Sequence, residues 1–268
     1  IKGVLIIHTE TATGITNDLP AIRSAIDSAN HPGLLIVDTV AAAGTVDYRM
    51  DEWGIDITVG ASQKGLMMPP GIGIVAAGEK ALLATKESTM PRLYWDWKTR
   101  LEAEHYRKFC GTAPQLMVFG MREALNMLFE EGLENVFERH RVLAGATQAA
   151  VEVWGQAGTL SLNAVEPKER SNGVTTILTS EGIDADQFRN ICRDEMMVGL
   201  GGGLGDLSGK AFRVGHMGDI NAPMLYAALS AVESTLGYLN IKYASGGVTA
   251  AIEYVTDVKK NETGPFSF

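Results

Sequence analysis

Two side chains, 26 residues apart, could do chemistry together. Lys64 sits in Val59-Gly60-Ala61-Ser62-Gln63-Lys64-Gly65-Leu66, after an apolar run and before a glycine. Met67-Met68-Pro69-Pro70-Gly71 follows, a turn that neither a helix nor a central strand can continue through. Asp38 ends a second apolar run, Leu34-Leu35-Ile36-Val37. Taken singly, a lysine before a glycine is ordinarily a solvated surface group, and an aspartate after a strand is ordinarily a cap or turn residue. Taken together, at the ends of buried-looking strands, an amine and a carboxylate can meet over one ligand in a strand-end crevice. Burial disfavours the ammonium form of a lysine, and the neutral amine can form a Schiff base with an aldehyde.

Pyridoxal phosphate is a ligand that needs this pair. Its aldehyde takes a lysine, and its ring nitrogen takes a carboxylate that keeps it protonated and makes the ring an electron sink. The spacing fits one step between neighbouring strand ends. A third candidate is Arg213, near the end of the run Ala211-Phe212-Arg213-Val214. Alone it reads as an arginine whose stem lies on apolar surface. Its planar guanidinium also suits a two-pronged grip on a substrate carboxylate. Gly201-Gly202-Gly203-Leu204-Gly205 lacks the phosphate-loop spacing, because Ala211 follows Lys210 where Ser or Thr is required. It reads as a flexible loop near the substrate entrance. His216 reads as structural.

The elements that must position these groups follow from periodicity. Strands are expected at Val4–Ile7, Leu34–Val37, Ile57–Val59 and Gly73–Ala77, the first as an interior member of the sheet. A helix capped by Asp18 is expected to lay Ile22, Ala25, Ile26 and Ala29 on one face. Residues 79–86 read as helix, and 88–111 as irregular, with Tyr94, Trp95, Trp97, Tyr106 and Phe109 serving subunit contact or core packing. A long helix should bury Leu116, Phe119, Ala124, Leu125 and Leu128 and break at Gly132, where a second helix begins and runs to Trp154. Beyond it come strand 173–178, helix 184–196, strand 211–214, helix 222–239, and a last helix with a frayed end from Ser245. Strands alternating with helices give an α/β sheet with crossovers. The expected division is 1–132, part of a large α/β domain, and 133–268, a smaller α+β domain.

Composition narrows the function. The net charge of −9 argues against a nucleic-acid surface. No apolar run is long enough for a membrane span. Cys110 and Cys192 are far apart and read as free thiols in a reducing compartment, hence a cytoplasmic protein of bacterial type, an organelle being the alternative. The five histidines show no metal-binding spacing, so no metal is expected. A dinucleotide fold would want GxGxxG after the first strand, which His8 to Gly14 does not offer.

Several segments together resemble one family. Glu10-Thr11-Ala12-Thr13-Gly14, Asp38-Thr39-Val40-Ala41-Ala42-Ala43-Gly44, Asp51 to Asp56, Ser62-Gln63-Lys64-Gly65 with Pro69-Pro70-Gly71, Arg122-Glu123-Ala124-Leu125, Arg139-His140 and Gly209 to Gly218 stand in its order. The chain resembles the class V branch of the fold-type I aminotransferases, nearest its serine–glyoxylate and alanine–glyoxylate members. The resemblance implies a mostly parallel sheet with crossover helices, the C-terminal part of the family's large domain, followed by a small α+β domain. It implies pyridoxal 5'-phosphate as cofactor, and transfer of an amino group from serine or alanine to glyoxylate, giving glycine and a 2-oxo acid. Aspartate–glyoxylate and pyridoxamine–pyruvate are the rival pairs, and a non-catalytic structural partner is the rival of another class. Lys64 would be the Schiff-base lysine and proton shuttle, and Asp38 the partner of the ring nitrogen. Val40 would pack under the ring, and Gln63 would help hold the phosphate. Thr11 would lie by the ring's hydroxyl oxygen or the substrate, and Arg213 would clamp the substrate carboxylate. Thr112 would reach the phosphate of a neighbouring subunit's cofactor, which implies a homodimer with shared active sites. Phe109 stands where alanine–glyoxylate members have tyrosine. The family's N-terminal phosphate turn and stacking aromatic have no match here, so the chain reads as a fragment that alone would bind the cofactor weakly.

Overall fold

The computed structural model describes residues 1–101 and 108–261. Tyr106 and the frayed end expected after the last helix lie outside the described residues. The first apolar run forms β1 (Gly3–Ile7), and the polar cluster behind it folds as a small antiparallel hairpin of β2 (Thr9–Glu10) and β3 (Ile15–Thr16). Helix α1 (Leu19–Ser28) begins where the Asp18 carboxylate accepts the Ala21 N–H at 2.9 Å, with Pro20 in the first turn. It packs Leu19, Ile22 and Ile26 on the sheet, whereas Ala25 and Ala29 stay exposed, so its apolar face is narrower than expected. Strands β4 (Leu34–Asp38), β5 (Ile57–Ala61) and β6 (Gly73–Ala77) complete a sheet of order β1-β4-β5-β6. The first three run parallel and β6 runs antiparallel to β5.

Helix α1 covers one face of this sheet, with Tyr48, Met50 and Trp53 from the β4–β5 connection closing the cluster around Leu35, Val37 and Ile55. The interior place expected for β1 is not observed. It is an edge strand, and Leu5 and Ile7 lie exposed, because no described residue pairs or covers that side.

Helices α2 (Glu79–Lys86), α3 (Trp97–Arg100) and α4 (Gln115–Glu131) follow. Tyr94 and Trp95 are exposed rather than core. With Trp97 they wall a cavity of about 800 Å³ against β5 and β6. The buried side expected for α4 holds only in its second half. Ala124 and Leu128 are buried, but Leu116 is 87% and Phe119 67% exposed. In the first turns Met117 lies against Gly71, and Gly120 against Met68.

Gly132, at φ 85°, breaks α4 from α5 (Leu133–Trp154). Strands β7 (Leu160–Leu162), β8 (Val174–Thr179), β9 (Gly201–Gly202) and β10 (Ala211–Gly215) form a second, antiparallel sheet of order β7-β8-β10-β9. Helices α6 (Ala185–Asp194), α7 (Ala222–Tyr238) and α8 (Gly247–Asn261) complete the unit. Phe188 of α6 stacks on Phe212 of β10 at 4.6 Å between centroids. The glycine run is therefore not all loop, because Gly201 and Gly202 pair with Arg213 and Phe212. Glycine's poor strand preference hid that strand.

Two buried histidines tie this unit together. The His140 Nδ1–H donates to the Val136 carbonyl at 2.6 Å, and Nε2 accepts the Gly218 N–H at 3.0 Å. The His216 Nδ1–H donates to the Asn172 carbonyl at 2.8 Å, and Nε2 accepts from the Thr175 hydroxyl at 2.9 Å. The His140 bonds require the neutral ring, because the Gly218 N–H can only donate. Burial pushes each imidazole down to about 4, and does the same to His8, against a smaller upward pull from Asp47. In the unfolded chain they ionise near 6.5. Between those values the unfolded chain holds more protons, so this stability is complete above about pH 6.5 and is lost as the pH falls towards 4. At pH 5 the loss is on the order of 2 kcal/mol per histidine. Thermal melts at pH 7 and pH 5 should show a clear fall in Tm, and equal values would contradict the neutral-histidine account.

Candidate active site

Adjacent parallel strands bring the lysine and aspartate segments to one edge. Asp38, the last residue of β4, lies in register with Val59 of β5 and Ile7 of β1. Its main chain is held from both sides: its carbonyl accepts the His8 N–H at 2.8 Å, and the next amide, on Thr39, donates to the Val59 carbonyl at 2.7 Å. One carboxylate oxygen accepts the Val40 N–H at 2.8 Å. The other has no partner among the described residues. Val40 is half-buried in the turn that follows.

Lys64 lies three residues past the end of β5, half-buried, with no hydrogen bond or ion pair on its amine among the described residues. Ser62 holds its loop and is fully buried. The Ser62 hydroxyl donates to the Pro69 carbonyl at 2.8 Å and accepts the Ile72 N–H at 3.2 Å. The Met67 N–H closes the turn onto the Lys64 carbonyl at 2.9 Å, and Met67 itself sits at φ 60°. The lysine and aspartate loops touch backbone to backbone. A Cβ on Gly44 would lie 2.7 Å from the Gly65 carbonyl oxygen, and one on Gly65 would overlap the Ala43 carbonyl. Only glycine permits this approach.

Arg213 comes from β10. Its Nε donates to the Gly202 carbonyl at 2.7 Å and its Nη1 to the Thr11 carbonyl at 2.9 Å. Nη2 has no partner among the described residues. Burial lowers its pKa, Arg189 lowers it further, and Glu10 opposes both. The hairpin loop that carries Thr11 is fastened at four successive carbonyls. Thr11 takes Arg213, Ala12 takes the Thr176 hydroxyl at 3.0 Å, Thr13 takes Asn163 at 2.8 Å, and Gly14 takes the Ser171 N–H at 2.9 Å. Gly14, at φ 70°, packs so close to Thr176 that a side chain there would be crowded.

The structure thus joins Arg213 to Thr11 and the Lys64 loop to the Asp38 loop. Gln63 is exposed and makes no side-chain bond among the described residues. Thr112 is exposed on the wall of the 800 Å³ cavity, which neither Lys64, Asp38 nor Arg213 lines. Asn163, Ser171 and Thr176, which fasten the Thr11 loop, gave no sequence signal beyond their polarity.

The donor set fits pyridoxal phosphate at its ring end. An unpaired carboxylate oxygen suits a protonated ring nitrogen, and an unpaired amine suits the aldehyde. No group of three or more His, Cys, Asp or Glu among the described residues lies placed to hold a metal, and no described helix is long and apolar enough to cross a membrane.

The model of the family "Aminotransferase class-V" matches residues 1–205. A serine–glyoxylate aminotransferase of Methylorubrum extorquens is 41% identical over 263 residues, which cover 96% of this chain and 64% of that protein. An L-aspartate–glyoxylate aminotransferase of Paracoccus denitrificans is 39% identical over 255 residues, 95% of this chain and 63% of that protein. The crystal structure of pyridoxamine–pyruvate aminotransferase from Mesorhizobium loti superposes with a TM-score of 0.85 at 28% identity, over 97% of this chain and 66% of that one. The chain therefore spans about 64% of the length of the curated relatives it matches. Its fold is that of the fold-type I pyridoxal-phosphate transferases. With the family model lying over both the Asp38 and Lys64 segments, the chain belongs to the class V aminotransferase family.

Proposed function

We propose that the protein is a pyridoxal-phosphate-dependent aminotransferase that moves the amino group of a small amino acid, serine or alanine, to glyoxylate. The observation that carries this reading is a pair of groups on touching loops, the Lys64 amine and one Asp38 oxygen, that have no partner among the described residues. When bound, the cofactor supplies an aldehyde that carries the amino group and a ring that accepts electrons. Asp38 accepts a hydrogen bond from the ring nitrogen and keeps its proton in place. Val40, held by its N–H to Asp38, supports one face of the ring. Lys64 moves a proton on and off the substrate Cα. Arg213 grips the substrate carboxylate through the N–H groups that Gly202 and Thr11 leave free, with Thr11 beside it. Gln63 holds the phosphate, and Thr112 serves the cofactor of a second subunit, which makes the assembly a homodimer.

The division at Gly132 is part of the reading, supported by the helix break and by separate apolar clusters before and after it. A cytoplasmic setting is supported by two unpaired cysteines, Cys110 exposed and Cys192 buried. A second reading has aspartate as donor, favoured by the Paracoccus relative.

The deciding assay offers the full-length protein, loaded with cofactor, a panel of amino donors with glyoxylate as acceptor. Serine or alanine should give glycine with kcat/KM about tenfold or more above aspartate. If aspartate leads, the second reading replaces the first. If no donor yields glycine, the enzyme reading fails.

A further inference from the structure

The glycine run is left unused by this reading, yet it lies against the substrate arginine. Gly201 and Gly202 form the edge strand β9 beside Arg213, and neighbouring residues of a strand face opposite sides of the sheet. On one side, a Cβ at Gly201 would meet the Arg213 side chain, 3.1 Å from its Cβ and 3.3 Å from Nε. On the other, a Cβ at Gly202 would meet the guanidinium end of Arg189, 2.8 Å from Nη1. Arg189 is held there by Asp186 at 2.8 Å and by the Leu200 carbonyl at 3.1 Å. Neither glycine has positive φ, so each backbone accepts an L side chain and what decides the outcome is space.

We propose that Gly201 is a positioning residue for substrate carboxylate binding: its bare Cα leaves the slot in which the Arg213 side chain lies flat along β9. This rests on the reading of Arg213 as the carboxylate clamp. In that slot Nε is spent on the Gly202 carbonyl and one Nη1 proton on the Thr11 carbonyl. Nη2 and the second Nη1 proton are what remains for a carboxylate. The two carbonyls thus set the orientation of the fork, and the missing methyl group allows it. A Cβ on Gly202, by contrast, would meet Arg189 rather than Arg213.

Gly201 and Gly199, which has open space where a Cβ would stand and no positive φ, make a matched experiment. Gly201→Ala and Gly199→Ala are each made in the full-length, cofactor-loaded protein, alone and combined with Arg213→Ala. KM values for serine and glyoxylate are measured with the inhibition constant of glycerate, which has the carboxylate but no amino group. Gly201→Ala should raise all three about tenfold, with kcat falling less, while Gly199→Ala changes them less than about twofold. On the Arg213→Ala background, Gly201→Ala should add nothing, since no guanidinium is left to orient. The proposal is overturned if Gly201→Ala has no effect, if Gly199→Ala costs as much, or if the Gly201→Ala loss persists on the Arg213→Ala background. If Arg213→Ala itself leaves all three constants unchanged, the clamp reading falls first.

Discussion

Lys64→Ala should lower turnover with every donor by about 10³-fold or more, with Tm unchanged. The size follows from the two roles the amine has in the proposed reaction, as the covalent anchor and as the group that moves the Cα proton. The unchanged stability follows from its surroundings. The amine makes no ion pair or hydrogen bond among the described residues, and its loop is held by Ser62 and by the Met67 N–H to the Lys64 carbonyl. Removing the side chain leaves those bonds in place. Lys64→Arg should be equally inactive although it keeps the charge, because guanidinium stays protonated and cannot take up the proton. A small exogenous amine should restore part of the alanine variant's activity. Single-turnover kinetics with serine measure all three, and a Lys64→Ala enzyme that turns over within tenfold of the parent would remove Lys64 from the mechanism.

The largest effect on folding is expected at Arg139. It is 4% exposed and forks onto the Glu131 carboxylate through Nε and Nη2, at 2.7 and 2.8 Å. Its Nη1 donates to the Gly218 and Ile220 carbonyls at 2.7 and 3.1 Å. One side chain thus bridges the helix break at Gly132 to the loop after β10. Arg139→Ala strands a largely buried carboxylate and frees two carbonyls, which should cost about 3–5 kcal/mol. Arg139→Lys should recover part of this, since an ammonium cannot reproduce the two-pronged geometry. Pairing Arg139→Ala with Glu131→Ala should cost less than the two single losses added together, because no charge is then left alone. Urea unfolding of the parent and the four variants reads each value, and strict additivity would show that the ion pair contributes nothing of its own.

What could be read from the residues divides along a physical line. The strand ends before Asp38 and Lys64 were legible because the strands are apolar runs and the turns after them are rich in small residues, Gly and Pro, so both ends are marked by side chains. The cap at Asp18 and the break at Gly132 were legible for the same reason. The exposure of Leu116 and Phe119 was not, because a helical stripe shows which face is apolar and says nothing about what lies against it. Strand β9 was hidden because two glycines carry no pattern. The fastening of residues 11–14 was hidden more deeply, since four main-chain carbonyls do that work and a carbonyl is the same in every residue. Gln63 and Thr112 came from family resemblance alone, and neither side chain has a partner among the described residues.

Those four fastened carbonyls bear on how the site responds to its substrate. The hairpin loop belongs to the first unit by sequence, but it is bonded to Asn163, Ser171, Thr176 and Arg213 of the second. Any shift of the second sheet therefore carries Thr11 and Arg213 along as one rigid jaw, whereas Asp38 and Lys64 stay with the first sheet as the other. The two also meet directly, since a Cβ on Gly173 would lie 3.5 Å from the Ala41 carbonyl and one on Gly218 3.6 Å from Met67 Cγ. Thr11 and Arg213 are thus kept in step with each other by bonds that bypass the Asp38 and Lys64 loops, while His8 and Asn17 at the flanks of the hairpin stay bonded to the first sheet.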